Sequence, residues 1–196
     1  MSQVLRAETT SQMFRELVDR AVDHQQVSPS PDSVRYLVQL LDAFVHWDPL
    51  HEESETEPGQ PLAEVFCRAI ASDGLRRFQL LKLSGDLSLF TAGFCSDSCK
   101  GQAVDVDYYC QLGGTAYASA ASDCASPDVA ALFQELSAGF IRFADLLFEV
   151  SEQCAYTETS DDLRLHDRWL RIGSRHAVEK LRSRGVQVGS ASGTVH

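Results

Sequence analysis

Two carboxylates and two phenols crowd one short segment of the chain, Asp105-Val106-Asp107-Tyr108-Tyr109. Side chains of these types act as acid–base groups or supply oxygen ligands to a metal ion. Acidic residues in the first turn of a helix are also favoured by the helix dipole, so the same pattern is typical of a simple helix start with tyrosines packed beside it. Both interpretations place this segment at the N-terminus of a helix that begins near Asp105.

Asp86 is a second unusual carboxylate, because it lies midway along a helical segment rich in Leu and Phe. A buried carboxylate needs a partner, and Lys82, four residues earlier, lies on the same helix face. Ion pairs with Lys82, Arg76 or Arg77 would indicate a structural role. An unpaired carboxylate would predict a ligand site where the Asp86 helix meets the Asp105–Tyr109 segment.

Metal-binding patterns are weak in this sequence. Cys95 and Cys99 are spaced four apart and are the candidate thiolate ligands, although zinc sites commonly use closer pairs and four ligands. No Glu-x-x-His pair of the ferritin-like type occurs. The histidines are scattered, so the sequence predicts neither a histidine metal site nor a cofactor; they are His24, His46, His51, His166, His176 and His196.

The last predicted helix, Leu163 to Arg184, carries seven basic residues against Asp167 and Glu179. Such a face suits an acidic partner or phosphate groups, and an indole beside the charges suits an interface anchor. The same charges also suit a helix that neutralises the acidic body of its own protein. The candidate partner-binding residues are Arg164, Arg168, Trp169, Arg171 and Arg175.

The length of 196 residues is that of a single domain, and the formal net charge of −11 with a pI near 4.9 makes the chain acidic. Nucleic-acid and anionic-membrane binding depend on basic side chains, so neither is expected. No apolar run is long enough to span a membrane, and the charged N-terminus lacks the pattern of a secretory signal. We therefore expect a cytoplasmic protein with mostly reduced cysteines.

A central helical hairpin is predicted between residues 74 and 121. Its first half carries an apolar stripe with spacings of 3 and 4, namely Leu80, Leu83, Leu87, Phe90 and Phe94. Gly85 inside that stripe costs up to about 1 kcal/mol relative to Ala, so we expect close packing or a kink there. The second half has a face of small residues, including Gly113, Gly114 and Ala116, which lets another backbone approach closely.

Five more amphipathic segments complete an all-α fold, a single compact bundle of about seven helices. They are predicted at 10–25, with Thr10 or Ser11 as the cap, at 31–47, with Ser30 and Pro31 at its start, and at 61–72, 127–150 and 163–184. The domain therefore covers residues 10–185 and includes an acidic loop at 48–61. Residues 1–9 are predicted to be flexible, and residues 186–196 form a disordered tail.

Three segments carry a resemblance: GDLSLFTAGF at 85–94, VDVDYYCQLGGTAYA at 104–118 and WLRIGS at 169–174. Over most of the chain from Pro61 onward, the sequence resembles an uncharacterised family of small bacterial all-helical proteins. The resemblance carries no activity and no catalytic residue across. It does imply that Asp86, Asp105, Asp107 and Tyr108 belong together.

The absence of P-loop, Rossmann, nucleophile-elbow and zinc-protease motifs favours a non-enzymatic regulatory or adaptor protein, or an assembly chaperone. Such a protein acts through another protein, which includes a second copy of itself. The alternative is a ligand- or metal-binding helical bundle, including an enzyme, with its site formed by Asp86, Asp105, Asp107, Tyr108 and Tyr109.

Overall fold

The computed structural model describes residues 2–45, 61–95, 105–154 and 162–186, and every element within these ranges is an α-helix. The all-α prediction is therefore confirmed, but the described residues form nine helices rather than seven. They are α1 (Ser2–His24), α2 (Pro31–Val45), α3 (Leu62–Ile70), α4 (Gly74–Ala92), α5 (Val106–Asp123), α6 (Pro127–Ala138), α7 (Phe140–Cys154), α8 (Asp162–Ile172) and α9 (Arg175–Ser183). Across the described part of the chain, each helix is too short or too polar to cross a membrane.

Several predicted segments fall outside the described residues. The acidic loop predicted at 48–61 lies outside them except for residue 61, and the tail predicted at 186–196 does so except for residue 186. Cys99 also lies outside them, in the gap at 96–104, and the side chain of Arg164 is not described. The candidate site is therefore built from the remaining residues.

Two predicted helices are each divided by a glycine, which accounts for the two extra helices. The segment 127–150 is divided at Gly139, where an added Cβ would stand 2.9 Å from the Phe143 ring. The segment 163–184 is divided at Gly173, whose φ of +65° favours glycine. Ser174 then caps α9, because its Oγ accepts a hydrogen bond from the Ala177 N–H at 3.1 Å.

The first helix begins earlier than predicted. We expected a start at Thr10 or Ser11 after a flexible segment at 1–9, but the helix extends back to Ser2. Residues 2–9 contain neither proline nor glycine to stop it.

The start of α2 follows the predicted pattern, with Pro31 as its first residue and Ser30 as its cap. The Ser30 Oγ accepts a hydrogen bond from the Ser33 N–H at 3.2 Å. The Glu135 carboxylate of α6 adds to this cap, because it accepts hydrogen bonds from the Ser30 N–H and from the Ser33 hydroxyl, each at 2.8 Å. The helix start therefore also joins α2 to α6.

The central hairpin is formed by α4 and α5, which share the most extensive contact between any two of the described helices. An added Cβ at Gly85 would overlap the Tyr117 ring, and one at Gly113 would overlap Phe140 and lie 2.6 Å from Ser88 Cβ. Because residue 85 faces residue 117 and residue 88 faces residue 113, the two helices run antiparallel. The close approach predicted from the small residues is confirmed.

The buried apolar residues form a large core, to which α1 to α7 and Ile172 of α8 contribute, and a smaller cluster at the C-terminal helices. The smaller cluster contains Phe148 of α7, Leu165 of α8, and Ala177 and Leu181 of α9, with Trp169 packed beside it. The two C-terminal helices therefore pack on α7 through their own small core.

Candidate functional site

Asp86 is buried and fully engaged by neighbouring side chains. Its Oδ1 accepts hydrogen bonds from the hydroxyls of Tyr36 at 2.5 Å and Tyr117 at 2.8 Å, and its Oδ2 accepts one from Lys82 Nζ at 2.6 Å. Burial and the nearby Asp86 charge raise the pKa values of both phenols well above their ordinary range, so both remain protonated donors. The expected Lys82 ion pair is present, which favours a structural role for Asp86.

The Asp105–Tyr109 segment lies elsewhere on the hairpin. Asp86 faces Tyr117, which is about 18 Å along α5 from Asp105 at 1.5 Å per residue. The structure therefore does not bring Asp86 and this segment into one site.

Within the segment, Asp105 occupies the cap position of α5, at the predicted helix start, but its side chain makes no capping hydrogen bond to the described residues. Its Oδ2 pairs instead with Arg171 Nη1 at 2.6 Å. Tyr108 and Tyr109 pack edge to face, with ring centroids 5.4 Å apart. Asp107 Oδ1 is buried and has no hydrogen-bond partner in the described ranges.

The basic residues of the predicted last helix are largely occupied within the protein. Arg168 is buried, and its Nε and Nη2 donate to Asp145 Oδ1 at 3.2 and 3.1 Å while Nη1 donates to the Ala92 carbonyl at 2.9 Å. The Ser174 hydroxyl donates to the same Asp145 oxygen at 2.7 Å. A single carboxylate oxygen on α7 therefore holds both α8 and the cap of α9.

The other candidates on these helices differ in exposure. Arg171 pairs with Asp167 on its own helix as well as with Asp105, and Trp169 is half-buried against the small C-terminal core. Arg175 is exposed. The five residues thus do not form one continuous free surface.

Among the thiols, Cys95 is half-buried and its predicted partner Cys99 is not described. Burial raises the pKa of Cys110 to about 11, so that thiol stays protonated at neutral pH. The described thiols give no support for a cysteine metal site.

A different group of residues could hold a metal ion. His24 at the end of α1, Glu149 on α7 and His176 on α9 each offer one ligand atom, and these atoms lie within 4.8 Å of one another. His24 Nδ1 stands 2.9 Å from Glu149 Oε1, and His176 Nδ1 stands 3.4 Å from Glu149 Oε2. A tetrahedral ion with bonds near 2.1 Å requires ligand separations of about 3.4 Å. Both separations from Glu149 are close to this value.

His176 is only 3% exposed, and its two ring nitrogens have different environments. Nε2 is 3.3 Å from Glu152 Oε2, which suits an N–H donor. Nδ1 is buried and makes no hydrogen bond to any described residue. With the proton on Nε2, the Nδ1 lone pair faces the electron-rich oxygen of Glu149. A cation between these two atoms would convert this repulsion into two bonds.

The surrounding residues hold this arrangement in place. Gln25 Nε2 donates to Glu149 Oε2 at 2.8 Å, which orients that carboxylate. Lys180 Nζ donates to Glu152 Oε1 at 2.6 Å. Burial disfavours the Glu152 charge, but the hydrogen bonds from His176 and Lys180 outweigh it and hold the pKa of Glu152 below its ordinary value. Carboxylates that orient ligating histidines in this way are typical of metal sites.

The sequence analysis missed this cluster because its members lie on three helices that are far apart in the chain. One signal was present: Glu149 lies between Phe148 and Val150 in a run of buried residues on α7. A carboxylate in such a run requires polar partners, and the histidines at two helix ends supply them.

The chain matches no protein-family model, and a search of curated proteins and of solved structures finds no significant similarity.

Proposed function

We propose that this protein binds a divalent transition-metal ion between His24, Glu149 and His176. The observation that carries the proposal is the buried Nδ1 of His176, which receives no hydrogen bond from the described residues and faces Glu149 Oε2 at 3.4 Å. Buried polar atoms without partners are rare in folded proteins, and coordination of an ion is one way in which such an atom is satisfied.

The ligand set favours particular metals. Two imidazoles and one carboxylate suit zinc, iron, cobalt or nickel, whereas magnesium and calcium prefer oxygen ligands throughout. Three protein ligands leave at least one position for water or another molecule. Because the ligands come from α1, α7 and α9, the ion would also fasten the C-terminal helices to the rest of the bundle.

A competing interpretation is a doubly protonated His176 that forms ion pairs with Glu149 and Glu152. The two interpretations differ in zinc uptake. Protein stripped with a chelator should bind one Zn²⁺ per chain in a calorimetric titration, and Co²⁺ should give a visible spectrum of low-symmetry coordination. A histidinium between two glutamates predicts no uptake.

Three variants locate the ion. His24→Gln changes an exposed side chain, Glu149→Gln keeps the size of the buried one, and each should weaken zinc binding at least about tenfold. His166→Gln is the matched control, because His166 is an exposed histidine outside the cluster. Equal loss of zinc binding in the His166 variant, or unchanged binding in both cluster variants, would refute the site.

Protein–protein interaction stays a second proposal, and one observation favours it. Ile70 at the end of α3 and Leu75 at the start of α4 are 50% and 72% exposed, so two large apolar side chains on either side of this turn are open to solvent. We infer that a second copy of the chain covers them. Light scattering should show dimers at micromolar concentration that Leu75→Glu converts to monomers. A wild-type protein that is monomeric throughout would contradict this.

A further inference from the structure

A cavity of about 190 Å³ adjoins the candidate metal cluster. It lies between the end of α1, the first turns of α7 and the turn from α8 to α9, and its wall includes Gln25, Val27, Ile141, Arg142, Ile172 and Arg175. Its volume is below the roughly 300–1,000 Å³ of pockets for drug-sized molecules. A ligand here must therefore be small.

The charged groups of the cavity favour an anion. Arg142 and Arg175 are exposed at the surface and form no ion pair with a described residue, and the charge of Arg142 also acts on Glu135 of α6, which lies outside the cavity wall. The Asp145 carboxylate in the wall is already occupied by Arg168, which leaves Glu179 as the opposing charge. Among the lining residues, two guanidinium groups therefore stand against one carboxylate that has no arginine partner.

The rest of the wall favours an apolar body on that anion. Val27, Ile141 and Ile172 line the cavity between the charged groups. Arginine side chains bind carboxylates through paired hydrogen bonds. A compact molecule with one carboxylate end and one apolar end therefore matches both parts of the wall.

The cavity and the metal cluster share structural elements. His176 belongs to both, because it also lines the cavity. Gln25, also in the wall, donates to the Asp145 carbonyl at 3.1 Å and to Glu149 Oε2 at 2.8 Å. Asp145 and Glu149 are one helical turn apart on α7, about 6 Å. An anion in the cavity would therefore lie close to the charge of a bound ion.

We propose that this cavity binds a small organic carboxylate as a co-ligand that lies beside the metal ion without coordinating it, with the carboxylate between Arg142 and Arg175 and the apolar part against Ile141 and Ile172. The inference rests on the proposed function for its metal. Because coupling between two ligands is reciprocal, zinc tightens carboxylate binding and the carboxylate tightens zinc binding by the same factor.

The experiment uses benzoate as the probe and benzamide as its neutral counterpart. Zinc is titrated first, so that failure of the metal site is seen before benzoate is added. Benzoate should then bind zinc-loaded protein at least about fivefold more tightly than metal-free protein because of the nearby positive charge. Benzamide should bind more weakly than benzoate, and methyl NMR signals of Ile141 and Ile172 should shift with benzoate.

Arginine variants test the location of the carboxylate. Arg142→Gln and Arg175→Gln should each weaken benzoate binding about tenfold, the value of one charge-assisted hydrogen bond. Arg182→Gln is the control, because Arg182 is an exposed arginine on α9 that does not line the cavity. A circular dichroism spectrum of each of the three variants checks that it is folded.

The outcomes separate the two proposals. Zinc uptake without benzoate binding overturns the cavity assignment and leaves the metal site standing. Absence of zinc uptake overturns the metal site, and with it the co-ligand role. Benzoate binding that is equal with and without zinc, or that falls as much in the Arg182 variant as in the Arg175 variant, overturns the assignment as well.

Discussion

Replacing Gly85 with alanine should destabilise the protein, although the same change inside a helix is usually favourable. Gly85 lies in the middle of α4, and a Cβ there would overlap two carbons of the Tyr117 ring and stand 2.9 Å from a third. Tyr117 is fully buried, so the ring can move only by displacing the side chains packed around it. The ring must shift, and its hydroxyl then loses its hydrogen bond to Asp86.

The magnitude follows from three contributions. Alanine gains about 1 kcal/mol in helix propensity over glycine. Forcing an extra methyl group into a packed core costs about 1–3 kcal/mol. Loss of a hydrogen bond to a charged carboxylate costs about 1.5–3 kcal/mol. The net change is a loss of about 1.5–5 kcal/mol in the free energy of unfolding, and a loss near 3 kcal/mol would lower the Tm by about 6–12 °C.

Gly114→Ala is the matched control on the neighbouring helix. A Cβ at Gly114 would have its nearest neighbours at 3.9 Å, an ordinary contact, so this change should stabilise the protein by up to about 1 kcal/mol. Urea unfolding with a chelator present, followed by circular dichroism, measures both variants. The reasoning is refuted if Gly85→Ala is as stable as Gly114→Ala. In a Tyr117→Leu background the overlap with the ring is gone, and Gly85→Ala should become neutral or favourable.

Three further predictions concern buried or partly buried charges. Asp86→Asn should lower the free energy of unfolding by about 2–4 kcal/mol, because an amide cannot form the ion pair with Lys82. The affinity for zinc should stay unchanged. A variant that folds but no longer binds zinc would contradict the structural role of Asp86. Glu135→Gln should destabilise the protein at neutral pH but not in acid. Burial opposes the charge of Glu135, yet hydrogen bonds from the start of α2 hold the pKa of this carboxyl below its ordinary value of 4.5. The stabilisation by the Glu135 charge is therefore complete above pH 4.5 and is lost as the pH falls through the pKa of the folded state. Urea titrations from pH 3 to pH 7 measure this difference, and a constant gap between the two proteins would count against it. Arg168→Met should cost about 3–5 kcal/mol because it leaves the buried Asp145 carboxylate without its ion-pair partner. Arg171→Met removes an ion pair at the surface and should lower the Tm far less. Equal shifts in Tm would show that the two ion pairs do not differ in this way.

Local patterns were sufficient for much of the fold. The Ser30-Pro31 helix start, the Lys82–Asp86 pair and the small-residue face around Gly113 all depend on neighbours within one or two turns, and each is present in the structure. Propensities and periodicities act over that same range.

The features that the sequence analysis missed depend either on tertiary contacts or on a helix break that does not interrupt the apolar spacing. The apolar spacing continues from α6 into α7 through Gly139, so the pattern gives no sign that the helix ends there. The ion pair of Asp105 with Arg171 competes with its capping role, and only the fold brings the two residues together. The same is true of His24 and His176, which meet at Glu149 although the chain separates them by most of its length.

The single Asp145 oxygen that binds both Arg168 and Ser174 has a consequence for the way the protein opens. Ser174 in turn caps α9, so one acceptor holds the last turns of α8 and the first turn of α9 at once. Helices as short as these are marginal in isolation. Detaching either one exposes the same buried carboxylate and so weakens the attachment of the other helix. The two helices should therefore exchange their amide protons as one cooperative unit, at a free energy below that of global unfolding.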